Sequence, residues 1–409
     1  MYELRLDLRK NQFHIPRHFY NQKTIITLRD ISEEGKYQGG INQKLDFYYH
    51  LLTTTSFYLD IEIKHLDIFA SKYYIKNFYN RIIASYHGST LPQISSPIND
   101  LFFYKFVIPI DTYSELFTLS SQLSNFCLLS TGKTSLISRI LYKSFNSKAV
   151  YFGKKGYETS KHQITDEDII KYNLININPS TQIGGIIGGE QILYSLGLNF
   201  YNNYFQEKKI NAVYLPFIIE DIDDFKNFVK MSGLLFYGFS ITMPFKRKIF
   251  SDKQNIEPVN PINLWIPSKN ETYLTDEYAF RKSFVELGIT EKTNVFIIGK
   301  GAMANLAISL LANNNIKIVS SREDIIYNNE TPSLLINASP RNDITPNKLF
   351  DYVLDLPYYN KKTKLIEYCI KNKIKYIDGH QFWKWQAEKQ LNIFVAITHY
   401  KVWDIFIYS

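Results

Sequence analysis

Leu101-Phe102-Phe103-Tyr104-Lys105-Phe106-Val107-Ile108-Pro109 is an apolar run with one lysine inside it. Such a stretch reads as a strand of a parallel sheet, covered on both faces by a helix layer and a barrel interior. Burying an ammonium is unfavourable, so a lysine held there is a candidate amine nucleophile. Upstream, Arg81-Ile82-Ile83-Ala84-Ser85-Tyr86-His87-Gly88 is a second strand-like run and ends on a histidine. A lysine and an imidazole near the ends of neighbouring strands predict carbonyl chemistry through a Schiff base, with the imidazole moving protons.

The pattern around this pair is repetitive. Strand-like runs lie near 2–7, 25–29, 57–63, 81–86, 101–108, 126–130 and 147–152, with helix-compatible segments between them. Repeated strand–helix units give a parallel sheet. Polar residues collect where the runs end, at Arg29, Glu62, His87, Lys105 and Ser130, which is the active edge of a (β/α) barrel. A closed barrel of this kind has about eight strands. The first run begins almost at Met1, so the absent strand is expected upstream of it or replaced by another segment.

The whole chain has 409 residues, 45% hydrophobic and 21% charged, which predicts a packed protein of more than one domain. Net charge is +8 and the pI about 9.0, yet the lysines are scattered among Asn, Ile and Tyr with no basic cluster. Nucleic acid is therefore not an expected partner. Cys127 and Cys369 stand far apart, without metal-ligand spacing, so neither a disulfide nor a metal site is expected. With no apolar leader at the N-terminus and no uncharged run of spanning length, the expectation is a soluble cytoplasmic protein with no membrane partner.

Between about 160 and 182 the strand–helix pattern lapses into polar and turn residues, which sets a boundary near 175. Beyond it come a Gly-rich opening at Gly184–Gly189 and strands around Ala212–Pro216 and Gly238–Thr242. Then Asn294-Val295-Phe296-Ile297-Ile298-Gly299-Lys300-Gly301-Ala302 runs from an apolar strand into a small-residue turn. The domains expected are 1–175, a barrel; 176–280, an α/β substrate-binding lobe; and 281–409, a Rossmann lobe whose last helix returns to the substrate lobe.

The first domain presents Glu3-Leu4-Arg5-Leu6-Asp7, then Arg29 with Glu33 and Glu34, Asp60-Ile61-Glu62, His87, Lys105, Ser138-Arg139, and Ser160 with Gln163. In order and spacing these resemble the motifs of type I 3-dehydroquinate dehydratase. The resemblance implies a (β/α) TIM-type barrel, here without the family's first strand and helix. It implies Lys105 as Schiff-base nucleophile, His87 as proton shuttle and Glu62 as the acid that orients His87. Glu3, Arg5, Arg29, Arg139, Ser160 and Gln163 would hold the substrate. Taken singly, Lys105 could reach solvent from a strand end and His87 could be a core histidine; their joint order carries the functional reading. Gly88 stands where the family commonly has aspartate.

The second part resembles shikimate dehydrogenase. Gly238-Phe239-Ser240-Ile241-Thr242-Met243-Pro244-Phe245-Lys246 matches that family's strand-turn-lysine motif, and Asn263 and Thr275-Asp276 match two further motifs. The resemblance implies Lys246 and Asp276 as the catalytic pair, with Ser195, Thr242, Asn263, Tyr358 and Gln386 on the substrate. Gly299, Lys300, Gly301 and Ala302 would form the pyrophosphate turn. Arg322 follows the next strand where no acidic residue ends it, which favours NADP over NAD. Three positions depart from the family: Gly197 replaces the second serine of its SxS pair, Leu274 an asparagine, and Glu277 a glycine.

Together these resemblances imply a bifunctional shikimate-pathway enzyme acting on 3-dehydroquinate, 3-dehydroshikimate and shikimate. The departures keep two alternatives open, a catalytically silent metabolite-binding regulator and a chain in which only the dehydratase half works.

Overall fold

The computed structural model describes residues 1–94, 97–156, 163–247, 262–319, 331–359 and 361–404. Ser160 and Arg322, both assigned to sites from sequence, lie outside the described residues. Two compact units are present, one comprising Met1–Thr181 with Phe217–Leu234, the other Gln182–Pro216 with Leu235–Ser409.

The first unit opens with β1 (Tyr2–Arg5), β2 (Thr24–Thr27), α1 (Ile41–Thr54), β3 (Tyr58–Glu62), α2 (Ile63–Lys72), β4 (Ile82–His87), β5 (Phe103–Ile108), α3 (Tyr113–Gln122), β6 (Phe126–Ser130) and α4 (Ser135–Ile140). The six strands pair in consecutive order and every pair is parallel. This is the arc of a (β/α) barrel, and among the described residues no ladder joins β1 to β6. Near-continuous burial along β2, β3, β5 and β6 follows from their Ile-, Leu- and Phe-rich sequences, because both faces of such a sheet are covered. On the inner face Ile25, Ile83, Phe103, Cys127 and Leu129 form one cluster.

The strand expected over 147–152 is shorter than its sequence suggests. Only β7 (Phe152–Gly153) is present, paired with β8 (Ile164–Thr165), which leads into α5 (Asp166–Lys171). The preceding residues follow β6 through isolated bonds: Lys148 N donates to Phe126 O at 2.7 Å, and Leu128 N to the Ser147 hydroxyl at 3.1 Å. A side-chain oxygen at Ser147 thus takes a donor that a ladder carbonyl would otherwise accept.

The second unit begins with β9 (Gln182–Gly188), α6 (Leu196–Glu207) and β10 (Ala212–Ile218), after which α7 (Ile222–Met231) groups with the first unit. The substrate lobe read from sequence as 176–280 is therefore interrupted. The physical reason is aromatic packing of Tyr113 on α3 against Phe217, Phe225 and Phe228, with Tyr113 N donating to Asp224 at 3.2 Å. Next come β11 (Phe236–Ile241), β12 (Leu264–Ile266), β13 (Glu271–Tyr273) and α8 (Thr275–Leu287), giving a sheet of order β10-β9-β11-β12-β13.

A second sheet follows from β14 (Asn294–Ile298), α9 (Ala302–Leu310), β15 (Ile316–Val319), β16 (Ser333–Asn337), β17 (Tyr352–Asp355), α10 (Lys364–Lys371) and β18 (Lys375–Ile377). Its order, β15-β14-β16-β17-β18, is all parallel and reverses direction beside β14, which puts the ligand crevice at the end of that strand. The last helix, α11 (Gly379–Asp404), gives Phe382 and Trp385 to the core of this sheet and Ala387, Leu391 and Phe394 to the core of the other. No helix among the described residues is long and apolar enough to cross a membrane.

Candidate active sites

Register brings the front site together. Ser85 on β4 pairs with Lys105 on β5, and Glu62 on β3 pairs with Ser85, so these positions form one row across the sheet. Successive side chains alternate faces, so Asp60, Ser85, His87, Lys105 and Cys127 share the inner face. Lys105 is 6% exposed at its side chain. Its Nζ donates to Asp60 Oδ2 at 3.0 Å, lies 3.5 Å from Glu3 Oε1, and sits 4.2 Å from the centre of the Tyr151 ring.

Asp60 is the electrostatic centre. It also accepts from Arg29 at 2.9 Å and from Ser85 Oγ at 2.5 Å. Burial would raise its carboxyl, but the Arg29 and Lys105 charges and the Ser85 bond outweigh that and hold it well below the usual carboxylate range. Arg29 also donates to Ser85 Oγ at 2.7 Å and lies 3.5 Å from Glu33. Glu3 accepts from Thr27 Oγ1 at 2.8 Å, while Arg5 forms a two-pronged pair with Asp7 at 2.9 and 2.8 Å.

His87 has both ring nitrogens buried without a hydrogen-bond partner. Burial, helped by the Arg29 and Lys105 charges, pushes its imidazole down to about 2, so the ring is neutral. The role expected of Glu62 is corrected here. Glu62 accepts from Lys44 Nζ at 2.6 Å and from Asp30 N at 2.9 Å, because Lys44 on α1 is itself fully buried and needs a counter-charge. Glu33 accepts from the backbone N of His87 at 3.1 Å, and among the described residues no carboxylate bonds the ring itself. Burial pushes Glu33 up to about 7 against the pull of Arg29. Its sequence signal was the i,i+4 spacing from Arg29. Asp30, Glu62 and His65 are close enough to share a cation, and the Lys44 ammonium already occupies that role.

Arg139 on α4 is buried and donates to Ser130 O at 2.6 Å and Ser135 O at 2.8 Å. Burial pulls its guanidinium down to about 10, and no carboxylate among the described residues pairs with it. Gln163, just before β8, is half-buried.

In the second unit Ser195, Thr242, Lys246, Asn263, Asp276, Tyr358 and Gln386 all line one cavity of about 220 Å³. Lys246 Nζ and Asp276 Oδ2 are 2.6 Å apart. Asp276 occupies the first turn of α8 and Lys246 follows β11, so two separate elements deliver the pair. Asn263 and Thr275 bond reciprocally, at 2.7 and 2.9 Å, and Gln386 donates to Thr275 Oγ1 at 3.3 Å. Burial and the nearby Asp276 charge raise the Tyr358 phenol.

A side chain missed from sequence is Gln390, one turn beyond Gln386. Its oxygen accepts from Ser240 at 2.6 Å and Tyr201 at 3.1 Å, and its amide donates to Asn263 O and Thr275 Oγ1, both at 3.1 Å. Ser195 caps α6 by accepting from Gly197 N at 3.2 Å. A Cβ at Gly197 would meet the Tyr201 and Tyr214 rings at 3.2 and 3.3 Å, so a side chain there needs those rings to shift by a few tenths of an ångström.

The β14–α9 turn fits a dinucleotide pyrophosphate. Gly299 has φ +123° and a Cβ there would lie 2.7 Å from Ala338 O, so the turn needs glycine. A Cβ at Gly301 would meet nothing within 4 Å, leaving open space in front of the first-turn amides of α9, which begins at Ala302 after Lys300 and Gly301.

Comparisons with known proteins find relatives of both parts of the chain. Residues 1–172 match the model of type I 3-dehydroquinase, and residues 187–258 match that of the shikimate dehydrogenase substrate binding domain. The shikimate dehydrogenase of Sulfurisphaera tokodaii is 29% identical over 230 residues, covering 50% of this chain and 86% of the relative. The NADP(+) shikimate dehydrogenase of Pyrococcus furiosus is 27% identical over 240 residues, with the same shares. Among solved structures, the dehydroquinate dehydratase and shikimate dehydrogenase of S. pombe AroM aligns with 97% of this chain and 92% of its own, at 16% identity and a TM-score of 0.40. Residues 1–172 are thus similar to type I 3-dehydroquinases, and the second unit is similar to shikimate dehydrogenases.

Proposed function

We propose that this chain catalyses two consecutive steps of the shikimate pathway: dehydration of 3-dehydroquinate through a Lys105 imine, then NADPH-dependent reduction of 3-dehydroshikimate to shikimate. The observation that carries the first step is the enclosed Lys105 amine, with the neutral His87 imidazole on the adjacent strand, two residues past the register partner of Lys105.

In the front unit the Lys105 amine adds to the substrate ketone and water leaves, forming an iminium. The iminium acidifies the neighbouring C–H; His87 removes that proton and returns it to the departing hydroxyl. Hydrolysis then frees Lys105. Glu33 holds the His87 strand end. Arg139, a buried cation with no acid partner among the described residues, suits the substrate carboxylate, and Glu3, Arg5, Arg29, Ser160 and Gln163 complete the binding set.

In the second unit Lys246 and Asp276 exchange the proton of the reacting oxygen, since their 2.6 Å contact keeps one proton between two groups that face the cleft. Ser195, Thr242, Asn263, Tyr358 and Gln386 orient the substrate. NADP, held at Gly299, Lys300, Gly301 and Ala302 with Arg322, supplies the hydride chemistry when bound. A silent regulator has no need for this paired lysine and aspartate. Two free, buried cysteines, Cys127 and Cys369, fit a reducing compartment such as the cytoplasm.

The test is a pair of assays on the full chain: formation of 3-dehydroshikimate from 3-dehydroquinate, and NADP-dependent oxidation of shikimate. Lys105→Ala should abolish the first and spare the second; Lys246→Ala should do the reverse. A wild-type protein inert in both assays refutes the proposal.

A further inference from the structure

Outside the strand ladder the Lys105 amine meets Tyr151, which no motif singles out. It follows the segment that runs beside β6, where Cys127 Sγ contacts Ala149 O at 3.2 Å. Ala149 and Tyr151 both pack on the inner-face cluster. The ring therefore enters the interior with its face toward Lys105 Nζ, at 4.2 Å. That is the geometry of a cation–π contact. The hydroxyl is buried and has no hydrogen-bond partner among the described residues. Glu3, Cys127, Asp60 and Arg29 surround it electrostatically, and burial keeps the phenol protonated, so it remains a donor.

A phenylalanine would fill this volume and contact the ammonium equally well. Leaving a buried O–H unpaired is unfavourable, and such a group is retained where a ligand satisfies it. The ammonium of Lys105 and the iminium it becomes are both cations, so the ring contact survives imine formation.

We propose that Tyr151 contacts the substrate in the Lys105 site, its ring face supporting the cationic nitrogen and its hydroxyl donating to an oxygen of the bound hydroxylated keto acid. This assignment rests on the dehydratase reading above. The experiment compares full-length wild type, Tyr151→Phe and Tyr151→Leu in 3-dehydroquinate turnover, borohydride trapping read by intact mass, and thermal unfolding. Tyr151→Phe keeps the ring and should raise KM about tenfold with kcat within about twofold, as expected for one lost hydrogen bond. Its trapping should be retained and its Tm equal to or above wild type, because an unpaired group has been removed. Tyr151→Leu should lower both kcat and the trapped fraction.

A Tyr151→Phe enzyme with wild-type KM, or with a lowered Tm and no change in KM, overturns the assignment while leaving the dehydratase reading intact. Wild-type protein that neither turns over nor traps 3-dehydroquinate overturns the dehydratase reading and this assignment with it.

Discussion

Replacing Asp60 by asparagine tests the electrostatic frame of the front site. Asp60 is 1% exposed and faces two buried cations, Arg29 at 2.9 Å and Lys105 at 3.0 Å, with Ser85 as a third donor. Asparagine keeps the shape but removes the charge, so both cations lose their closest counter-ion inside the barrel. Removing one partner of a buried ion pair costs about 3–5 kcal/mol, mostly the uncompensated charge left behind. With a urea m-value of about 2 kcal/mol/M, the midpoint of the front unit should fall by about 1.5–2.5 M. The protein's four tryptophans are Trp265, Trp383, Trp385 and Trp403, so their fluorescence reports the second unit and serves as an internal control. The front unit is read by amide exchange of peptides from β3, β4 and β5. In a Lys105→Met background the penalty of Asp60→Asn should shrink by about 1–2 kcal/mol, because one of the two cations is gone. A loss below about 1 kcal/mol, or a penalty unchanged by Lys105→Met, refutes the proposed charge balance.

Three further outcomes are expected. The Glu33 carboxyl, pushed up to about 7, should give kcat/KM for dehydration an ascending limb near neutrality that disappears in Glu33→Gln. The same group and His87 act oppositely on stability. Glu33 has a raised folded pKa, so its contribution is full below about 4.5 and is lost as pH rises to about 7. His87 is held down to about 2, so its contribution is full above about 6.5 and is lost as pH falls. Between about pH 4.5 and 6.5 these slopes oppose each other. Denaturant midpoints should therefore fall with rising pH in His87→Gln and climb with it in Glu33→Gln; parallel profiles in the two variants contradict the assignment. Finally, Asp276→Asn should lower shikimate oxidation by about 10²-fold or more while leaving dehydration within about twofold, since Asp276 meets Lys246 at 2.6 Å in the second unit only. Equal losses in both assays would count against separate sites.

Much of this was legible in the chain because strand register converts local order into geometry. The apolar run around Lys105 and the run ending at His87 are adjacent strands, and their polar ends converge as parallel β/α units require. The Lys246 motif and Asp276 likewise meet although 30 positions apart. What sequence hid depends on tertiary pairing. Glu62 carries the stronger motif, yet the buried Lys44 claims it, while Glu33 on a short turn after β2 accepts from the His87 backbone amide. Gln390 and Tyr151 belong to no recognisable motif; one is fixed by four hydrogen bonds and the other by a ring face above an amine. The grouping of α7 with the first unit turns on Tyr113 packing against three phenylalanines, which hydrophobic periodicity does not report.

The central claim is that one enclosed amine forms a covalent imine with a cyclic keto acid. The most direct measurement is borohydride reduction of the full chain in the presence of 3-dehydroquinate, followed by peptide mass mapping. The account predicts a single stable adduct on the peptide carrying Lys105, absent without substrate and absent in Lys105→Ala. An active enzyme that gives no adduct, or an adduct on another lysine, contradicts it.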